Sequence, residues 1–254
     1  MSASGGPVRF VILNAARTGS NYLCTVLNSH PEILCHHEIF NPHVVGVARH
    51  LQVNGFQLGT IEERERDPVT FLQHVWKTGL EHTCVGFKLC WRQHEIAYRA
   101  VLDDTSVRKI VLKRRNRVKT FISLLRARET GEWVIYEDSA ATPQNPKNPK
   151  IHVAHAELLD NIEFNEQYYA EIESILGRTG QKHLTLFYED LSSEAALAGT
   201  LEFLEVSRPD PRLLQGCTRR LTTPSLKEIV SNFDELSAAL SGTPLQTELH
   251  STEA

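Results

Sequence analysis

The stretch ILNAARTGSNYLCTVL, residues 12–27, contains residue types that suit an oxyanion site. An apolar segment ends near Leu13, small residues follow, and an apolar-periodic segment begins where the loop ends. The backbone N–H groups of such a loop, with the N-terminus of the helix it opens, form a pocket for an anion. Arg17 adds a planar fork of donors, and the hydroxyls of Thr18 and Ser20 add two more. The pattern therefore predicts a phosphate-binding loop.

This loop differs from the Walker A sequence of nucleotide triphosphatases, G-x-x-x-x-G-K-[ST]. No lysine follows Gly19, and Arg17 precedes it. On the loop alone, an ordinary strand-to-helix turn with an exposed arginine is an equally good interpretation.

A second candidate anion site lies in the stretch KIVLKRRNRVKTFISLLRARETGEWV, which begins at Lys109. Seven cationic residues lie between positions 108 and 119 of a chain that is acidic overall. A solvated basic surface would explain them. However, Arg115 stands at the strand exit and Ser123 follows about two helical turns later, where one anion could contact both. We interpret these two residues as an anchor for a second phosphate.

The elements that must position these motifs alternate between strand and helix patterns. Apolar runs of β type cover 8–13, 84–89, 108–113 and 183–189. Helical spacing of apolar residues predicts helices within 20–29, 68–82, 94–104, 116–131, 154–180 and 193–206. Strands that alternate with helices favour an α/β fold, with a mainly parallel central sheet flanked by helices.

Length and composition indicate one globular domain over residues 1–254. The chain is 41 % hydrophobic and carries a net charge of −4, which gives no reason to expect nucleic acid or an anionic membrane as a partner. We expect a soluble cytoplasmic protein, because the first residues do not resemble a signal peptide and no apolar run is long enough to span a bilayer. The polar tail after about residue 241 is expected to be flexible.

Two further features concern cysteines and proline. The five cysteines are odd in number and form no C-x-x-C pair, which indicates buried thiols rather than a disulfide framework or a zinc site. The segment SAATPQNPKNPKIH, residues 139–152, is expected to be an exposed loop, because its prolines and polar residues cannot build a core element.

Three motifs together resemble the sulfotransferases. RTGSNYLCTVLNSHP, followed by HHEIF, resembles their 5′-phosphosulfate loop and acceptor-side segment. LKRRNRVKTFISLLRARETGEW resembles their 3′-phosphate element, in which a serine stands eight positions after an arginine. LFYEDL, residues 186–191, is similar to a landmark that follows a late strand. The resemblance is to the bacterial branch that contains trehalose sulfotransferase and nodulation-factor sulfotransferases, and it extends from Phe10 to about Leu240.

The resemblance implies a P-loop-like sulfotransferase fold and the donor 3′-phosphoadenosine 5′-phosphosulfate, with adenosine 3′,5′-bisphosphate as product and no metal. It implies that the 5′-phosphate and sulfuryl group bind the loop of Arg17, Thr18, Gly19, Ser20, Asn21 and Tyr22, and that the 3′-phosphate binds Arg115 and Ser123. Cytosolic eukaryotic members usually carry lysine where Arg17 stands, and the arginine here is consistent with the bacterial branch.

Sulfuryl transfer needs an in-line acceptor, stabilisation of the leaving oxygen and a base for the acceptor proton. Arg17 is expected to stabilise the leaving phosphate, and Lys88 adds positive charge at the end of another strand. The base is expected in the segment CHHEIFNP. Relatives of the trehalose type carry glutamate at the matching position, which makes Glu38 the first candidate and His37 the second. A polar turn or a partial metal site is the alternative interpretation of this His36-His37-Glu38 cluster.

We therefore predict a sulfotransferase that acts on a hydroxyl, or an amine, of a small molecule or glycan. The alternatives are a P-loop-type kinase or NTPase and a non-catalytic nucleotide-binding module. Trp91 and Trp133 are compatible with stacking on an adenine or a sugar, although partly buried packing is the more common role of a lone tryptophan. The segment 219–236 resembles one that returns toward the cofactor in bacterial relatives.

Overall fold

A computed structural model of the chain describes residues 6–79, 81–137, 149–207, 214–218 and 225–251. Its strands are β1 (Val8–Asn14), β2 (Ile33–His36), β3 (Cys84–Cys90), β4 (Arg108–Lys113) and β5 (His183–Phe187). They form one parallel sheet in the order β2-β3-β1-β4-β5. The helices are α1 (Ser20–Asn28), α2 (Arg49–Val53), α3 (Ile61–Arg66), α4 (Pro68–Thr78), α5 (Glu95–Asp103), α6 (Arg117–Thr130), α7 (His155–Thr179), α8 (Glu194–Leu204), α9 (Leu226–Ile229), α10 (Phe233–Ala239) and α11 (Pro244–His250).

The α/β fold with a parallel central sheet is confirmed, and each predicted strand and helix is present. The structure adds the edge strand β2 and the helices α2, α3, α9, α10 and α11. The six predicted helices are the longest, because only a long amphipathic stretch gives a clear helical period.

Strand β1 shows how helices cover both faces of the sheet. Its four central residues are completely buried. Val11 and Leu13 pack into a cluster that includes apolar residues of α4, α5 and α7. Phe10 and Ile12 pack into a second cluster with residues of α1 and α8. A continuous apolar strand is typical of a parallel sheet buried on both sides.

A third apolar cluster joins α6 and α7 to the C-terminal helices. Leu245 and Leu249, one turn apart on α11, are buried in it. The Glu248 carboxylate between them accepts a hydrogen bond from the Arg117 backbone N–H (2.6 Å). Part of the tail that the sequence predicts to be flexible thus forms α11 and packs against α6 and α7. Two leucines and one ion pair hold this polar segment in place.

Most of the predicted exposed loop, 139–152, lies outside the described residues. Near its end, Ile151 is buried, and its backbone pairs with Ile229 (2.8 Å) and Ser231 (2.9 Å). The five cysteines are free thiols, as predicted, with Cys24, Cys35 and Cys84 buried. None of the helices in the described ranges has the length and apolar character needed to cross a membrane.

Candidate active site

The parallel strands bring their carboxyl ends to one edge of the sheet. The segments that follow β1, β2 and β3 border a cleft of about 1620 Å³ there, and α6 and the C-terminal helices form its other walls. In open α/β sheets ligands bind outside the carboxyl ends of the strands. The cleft is therefore the candidate active site.

The loop between β1 and α1 requires glycine at one position. Its backbone turns through two left-handed residues, Arg17 (φ 66°) and Gly19 (φ 82°). A Cβ atom on Gly19 would lie 2.3 Å from a ring carbon of Tyr188, so both the backbone angle and the packing demand glycine. Helix α1 begins at Ser20, and its N-cap residue Gly19 makes no side-chain capping hydrogen bond. The N–H groups of its first turn thus form the kind of site that attracts anions.

Thr18 stabilises this loop from inside. Its hydroxyl donates to the Ala15 carbonyl oxygen (2.9 Å), and only 2 % of the residue is exposed. The Ala15 N–H donates to the Tyr169 hydroxyl (2.9 Å), which donates to the Leu112 carbonyl oxygen (2.7 Å). Helix α7 and strand β4 therefore hold the loop in shape, and Thr18 supports the loop rather than facing the cleft.

Arg17 lies among other cations at one end of the cleft. Its Nε donates to the Ser123 hydroxyl (2.9 Å), and its Nη1 donates to the Trp133 carbonyl oxygen. Burial lowers the pKa of Arg17, as do the nearby guanidinium groups of Arg114 and Arg126, while Tyr188 acts in the opposite direction. This part of the cleft is therefore strongly positive and favours an anionic ligand.

Lys88 connects the first loop to Glu38. Its Nζ, on an almost fully buried side chain, lies 2.7 Å from Asn21 Oδ1 and 2.8 Å from Glu38 Oε1. The other oxygen of Glu38 accepts hydrogen bonds from Asn41 Nδ2 (2.9 Å) and Gln93 Nε2 (2.7 Å). Burial opposes ionisation of Glu38, but the attraction of Lys88 and these hydrogen bonds prevail and lower its pKa to about 2. Glu38 is therefore a carboxylate at neutral pH.

The two histidines before Glu38 differ in their surroundings. His36 is completely buried, its Nδ1 accepts from the Ala48 N–H (3.2 Å), and burial lowers its pKa to about 3. It is a neutral structural residue. His37 borders the cleft, with Nδ1 3.2 Å from Asn21 Oδ1. Because Lys88 also donates to that oxygen, His37 Nδ1 must carry the hydrogen. Its Nε2 is buried and has no hydrogen-bond partner among the described residues.

The structure brings most of the predicted site residues together. Arg17, Gly19, Ser20, Asn21, Tyr22, His37, Glu38 and Ser123 border the cleft. Arg115 does not lie with them. Its guanidinium forms two hydrogen bonds to the Asp190 carboxylate (2.9 and 2.5 Å) at a half-exposed position, and stacks on Phe187. The neighbouring Arg114 borders the cleft.

Sequence reasoning missed two partners of Glu38. Asn41 stands three positions after it, in the same turn, which a search for local side-chain pairs would have found. Gln93 follows β3 and is distant in sequence, and only the neighbouring ends of β2 and β3 bring it close. Trp91 and Trp133 both border the cleft, and so do 225–227, 229, 233 and 234 from the segment 219–236, of which 219–224 lie outside the described residues. The described residues contain no cluster of side chains that could hold a metal.

Comparisons with known proteins agree with the motifs. No protein-family model matches the chain. It is 27 % identical over 246 residues to nodulation protein H of Rhizobium tropici, an alignment that covers 94 % of this chain and 91 % of that protein. Among solved structures it aligns with a sulfotransferase domain from the Synechococcus PCC 7002 olefin synthase (16 % identity, TM-score 0.48, 98 % and 94 % of the two chains). It also aligns with mouse sulfotransferase SULT7A1 complexed with PAP (11 % identity, TM-score 0.40, 97 % and 76 %). The resemblance to the bacterial sulfotransferases is confirmed.

Proposed function

We propose that this protein is a sulfotransferase that moves a sulfuryl group from 3′-phosphoadenosine 5′-phosphosulfate to a hydroxyl or amine of a small molecule or glycan. The observation that carries the proposal is the position of Lys88. One buried ammonium lies within hydrogen-bond distance of Asn21, at the start of the anion-binding helix, and of Glu38, a carboxylate suited to deprotonate an acceptor. A donor site and an acceptor site thus meet at a single cation.

The donor side of the cleft fits a phosphosulfate. The left-handed turn at Gly19, the first turn of α1 and Arg17 would surround the 5′-phosphate and the sulfuryl group with donors. The cations that lower the pKa of Arg17 indicate a place where an anion would relieve repulsion. The donor brings the activated sulfur, and the chain supplies position and charge.

With a hydroxyl acceptor the transfer exchanges one S–O bond for another, and with an amine it forms an S–N bond in place of the S–O bond. The acceptor oxygen or nitrogen attacks the sulfur in line, the bond between sulfur and the bridging phosphate oxygen breaks, and adenosine 3′,5′-bisphosphate leaves with that electron pair. Arg17 and the N–H groups of the loop are placed to stabilise the charge that grows on the leaving oxygen. Lys88 is placed to stabilise the sulfuryl oxygens.

Glu38 takes the acceptor proton in this proposal. With Lys88 beside it, Glu38 is ionised but weakly basic. If Lys88 turns toward the sulfuryl group when the donor binds, the attraction that lowers the pKa of Glu38 weakens, and its basicity rises. His37 is the second candidate, because the residue borders the cleft and its buried Nε2 has no hydrogen-bond partner among the described residues.

The test combines binding with transfer. We expect calorimetry to show that adenosine 3′,5′-bisphosphate binds far better than ATP, and an isotope-labelled sulfuryl donor to label an acceptor from a panel of hydroxyl and amino compounds and oligosaccharides. Arg17→Ala should lower turnover as well as donor affinity, because the charge it faces grows in the transition state. Equal affinity for the two nucleotides, or Mg²⁺-dependent ATP hydrolysis, would favour a kinase or NTPase. Bisphosphate binding without transfer would favour a non-catalytic module.

A further inference from the structure

Arg64, on α3, is a buried cation that does not line the cleft. Only 1 % of the residue is exposed, which is unusual for arginine. Burial of a guanidinium is costly unless its N–H groups find partners. Arg64 Nε (2.9 Å) and Nη2 (2.7 Å) donate to the carboxylate of the neighbouring Glu65. The third nitrogen, Nη1, is bound to the turn of residues 38–46, which begins with Glu38.

This turn borders the cleft and is closed by its own backbone. Arg64 Nη1 donates to the carbonyl oxygens of Ile39 (2.9 Å) and Asn41 (2.7 Å). The Glu38 carbonyl oxygen accepts from the backbone N–H groups of Asn41 (3.1 Å) and Gly46 (3.1 Å). A Cβ atom on Gly46 would lie 3.0 Å from the backbone nitrogen and oxygen of Glu38, so the two ends of the turn are in close contact. One buried cation thus holds the backbone of a compact turn at two points.

A side chain of the turn contacts the proposed base directly. Asn41, whose carbonyl oxygen Arg64 holds, donates from Nδ2 to Glu38 Oε2 (2.9 Å). Its own Oδ1 accepts from the His43 N–H (2.9 Å), which fixes the direction of the amide. Burial raises the pKa of Glu38, Lys88 lowers it, and the hydrogen bond from Asn41 lowers it further. Arg64 is therefore linked to the Glu38 carboxylate through Asn41.

We propose that Arg64 is a positioning residue of the active site, which holds the turn in the shape that lets Asn41 orient the Glu38 carboxylate for proton transfer. The inference rests on the proposed function, since the orientation matters only if Glu38 takes the acceptor proton. Lys88 and Gln93 also bind Glu38, so loss of Arg64 should loosen one hydrogen bond rather than free the carboxylate. Donor binding should not change, because separate contacts from β4 and α7 hold the donor loop.

The test separates positioning from a general loss of stability. Arg64→Met and Asn41→Ala are compared singly and together, by steady-state kinetics across pH with a confirmed acceptor and by calorimetry with adenosine 3′,5′-bisphosphate. We expect each single variant to lower kcat about tenfold, through misplacement of the base. The double variant should lose little more than either single variant, because both changes remove the same contact. Bisphosphate affinity should match that of the unsubstituted protein.

The pH dependence of kcat gives a readout that a purely structural role would not change. A base must be ionised, so kcat rises as the pH passes the pKa of Glu38 in the complex. A carboxylate that loses a hydrogen bond has a higher pKa, which moves this rise to higher pH in both single variants. Other titratable groups near Glu38 include Lys88 and Cys90 on β3 and His37 beside it in the chain. The substitutions leave these three in place, and burial raises the pKa of Cys90 to about 12, so its thiol stays neutral.

Arg108→Met is the matched control. Arg108 also donates to a backbone carbonyl oxygen, that of Phe203, and pairs with a glutamate, Glu205, on a side chain that is 15 % exposed. Its loss should leave kcat and the pH profile unchanged. Arg64→Lys is the conservative variant, which keeps a cationic donor for the turn and should recover part of kcat. It also replaces Arg64→Met in the comparison if that variant does not fold.

The results that would overturn the inference differ from those that would overturn the proposed function. If Asn41→Ala shifts the pH profile and the Arg64 variants do not, or if their effects on kcat multiply in the double variant, Arg64 does not act through Asn41. If the unsubstituted protein transfers no sulfuryl group to any acceptor, the proposed function fails. Carbon NMR of the Glu38 carboxyl, assigned with Glu38→Gln, then measures its pKa without turnover. An equal pKa with and without Arg64 would disprove the link between the two residues.

Discussion

Two ion pairs at the same edge of the sheet differ in burial. Lys88 and Glu38 lie 2.8 Å apart, with 2 % and 27 % of their side chains exposed. Arg115 and Asp190 lie 2.5 Å apart, with 50 % and 45 % exposed. In both, the cation lowers the pKa of the carboxyl, although for Glu38 burial is the largest influence and acts in the opposite direction.

Burial decides what each pair can do. Water screens the exposed pair, so separating its charges costs little. The buried pair cannot lose one partner without leaving a charge that the interior solvates poorly. Lys88 also contacts Asn21, so a ligand that draws Lys88 away from Glu38 would weaken the attraction that lowers the pKa of Glu38. In the proposed function the buried pair links donor binding to activation of the acceptor, whereas the exposed pair only holds the turn after β4 against the segment after β5.

The largest effect we expect is on catalysis in Glu38→Gln. The substitution keeps the shape of the side chain and removes its basicity, so kcat should fall roughly 10²–10⁴-fold, the usual contribution of a positioned base. Bisphosphate affinity should stay nearly constant. Steady-state kinetics with a confirmed hydroxyl acceptor, together with calorimetry, measure both quantities.

His37→Ala is the comparison that could contradict this assignment. If Glu38→Gln remains active and His37→Ala is inactive, the base is the histidine. Normal turnover in both variants, and in His36→Ala, would exclude this segment as the source of the base.

The sequence predicts the fold well where the apolar period is long. Strand β2 was missed because Ile33–His36 is only four residues, too short to show a period. Helix α3 has only six residues, but it begins with a Thr60–Glu63 capping box, a local sequence signal for a helix start. Helix α11 offers only two leucines, and docking against α6 and α7 rather than intrinsic preference stabilises it.

The site was predictable as a set of motifs but not in its side-chain directions. Arg114 and Arg115 are adjacent, and the spacing to Ser123 does not show which of them faces the cleft. Side chains alternate as the chain leaves a strand, and here Arg114 turns inward while Arg115 turns toward the acidic pair after β5. Only the tertiary position of Glu189 and Asp190 decides between them.

The second-largest effect we expect is on the stability of the fold at acidic pH. The pKa of Glu38 is about 2 in the folded protein and near 4.5 without the fold. A carboxyl group whose pKa is lower in the folded protein than in the unfolded chain stabilises the folded state. This stabilisation is complete at pH values above the pKa of the unfolded chain, and it is lost as the pH falls through the pKa of the folded protein. As the pH falls from about 4.5 to 2, protonation of Glu38 should therefore lower the free energy of unfolding by about 3 kcal/mol. Urea titrations at several pH values should show that the free energy of unfolding falls less steeply with decreasing pH in Glu38→Gln than in the unsubstituted protein. Parallel curves would mean that Lys88 does not lower the pKa of Glu38 as the geometry indicates.

The smallest effect should come from Asp190→Asn, the same carboxylate-to-amide change in the exposed pair. The amide still accepts a hydrogen bond from Arg115, and the charge lost is one that water and salt already screen. We expect the midpoint of thermal unfolding to match the unsubstituted protein within error, at low and at high salt, and bisphosphate affinity to be kept. A marked loss of stability would show that the exposed Arg115–Asp190 pair contributes as much as the buried Lys88–Glu38 pair. Burial would then not explain the difference between the two pairs. A marked rise in bisphosphate affinity would show that Asp190 competes with the nucleotide for Arg115, the residue that the resemblance implies for the 3′-phosphate. Measuring both properties on one sample separates these two outcomes from each other.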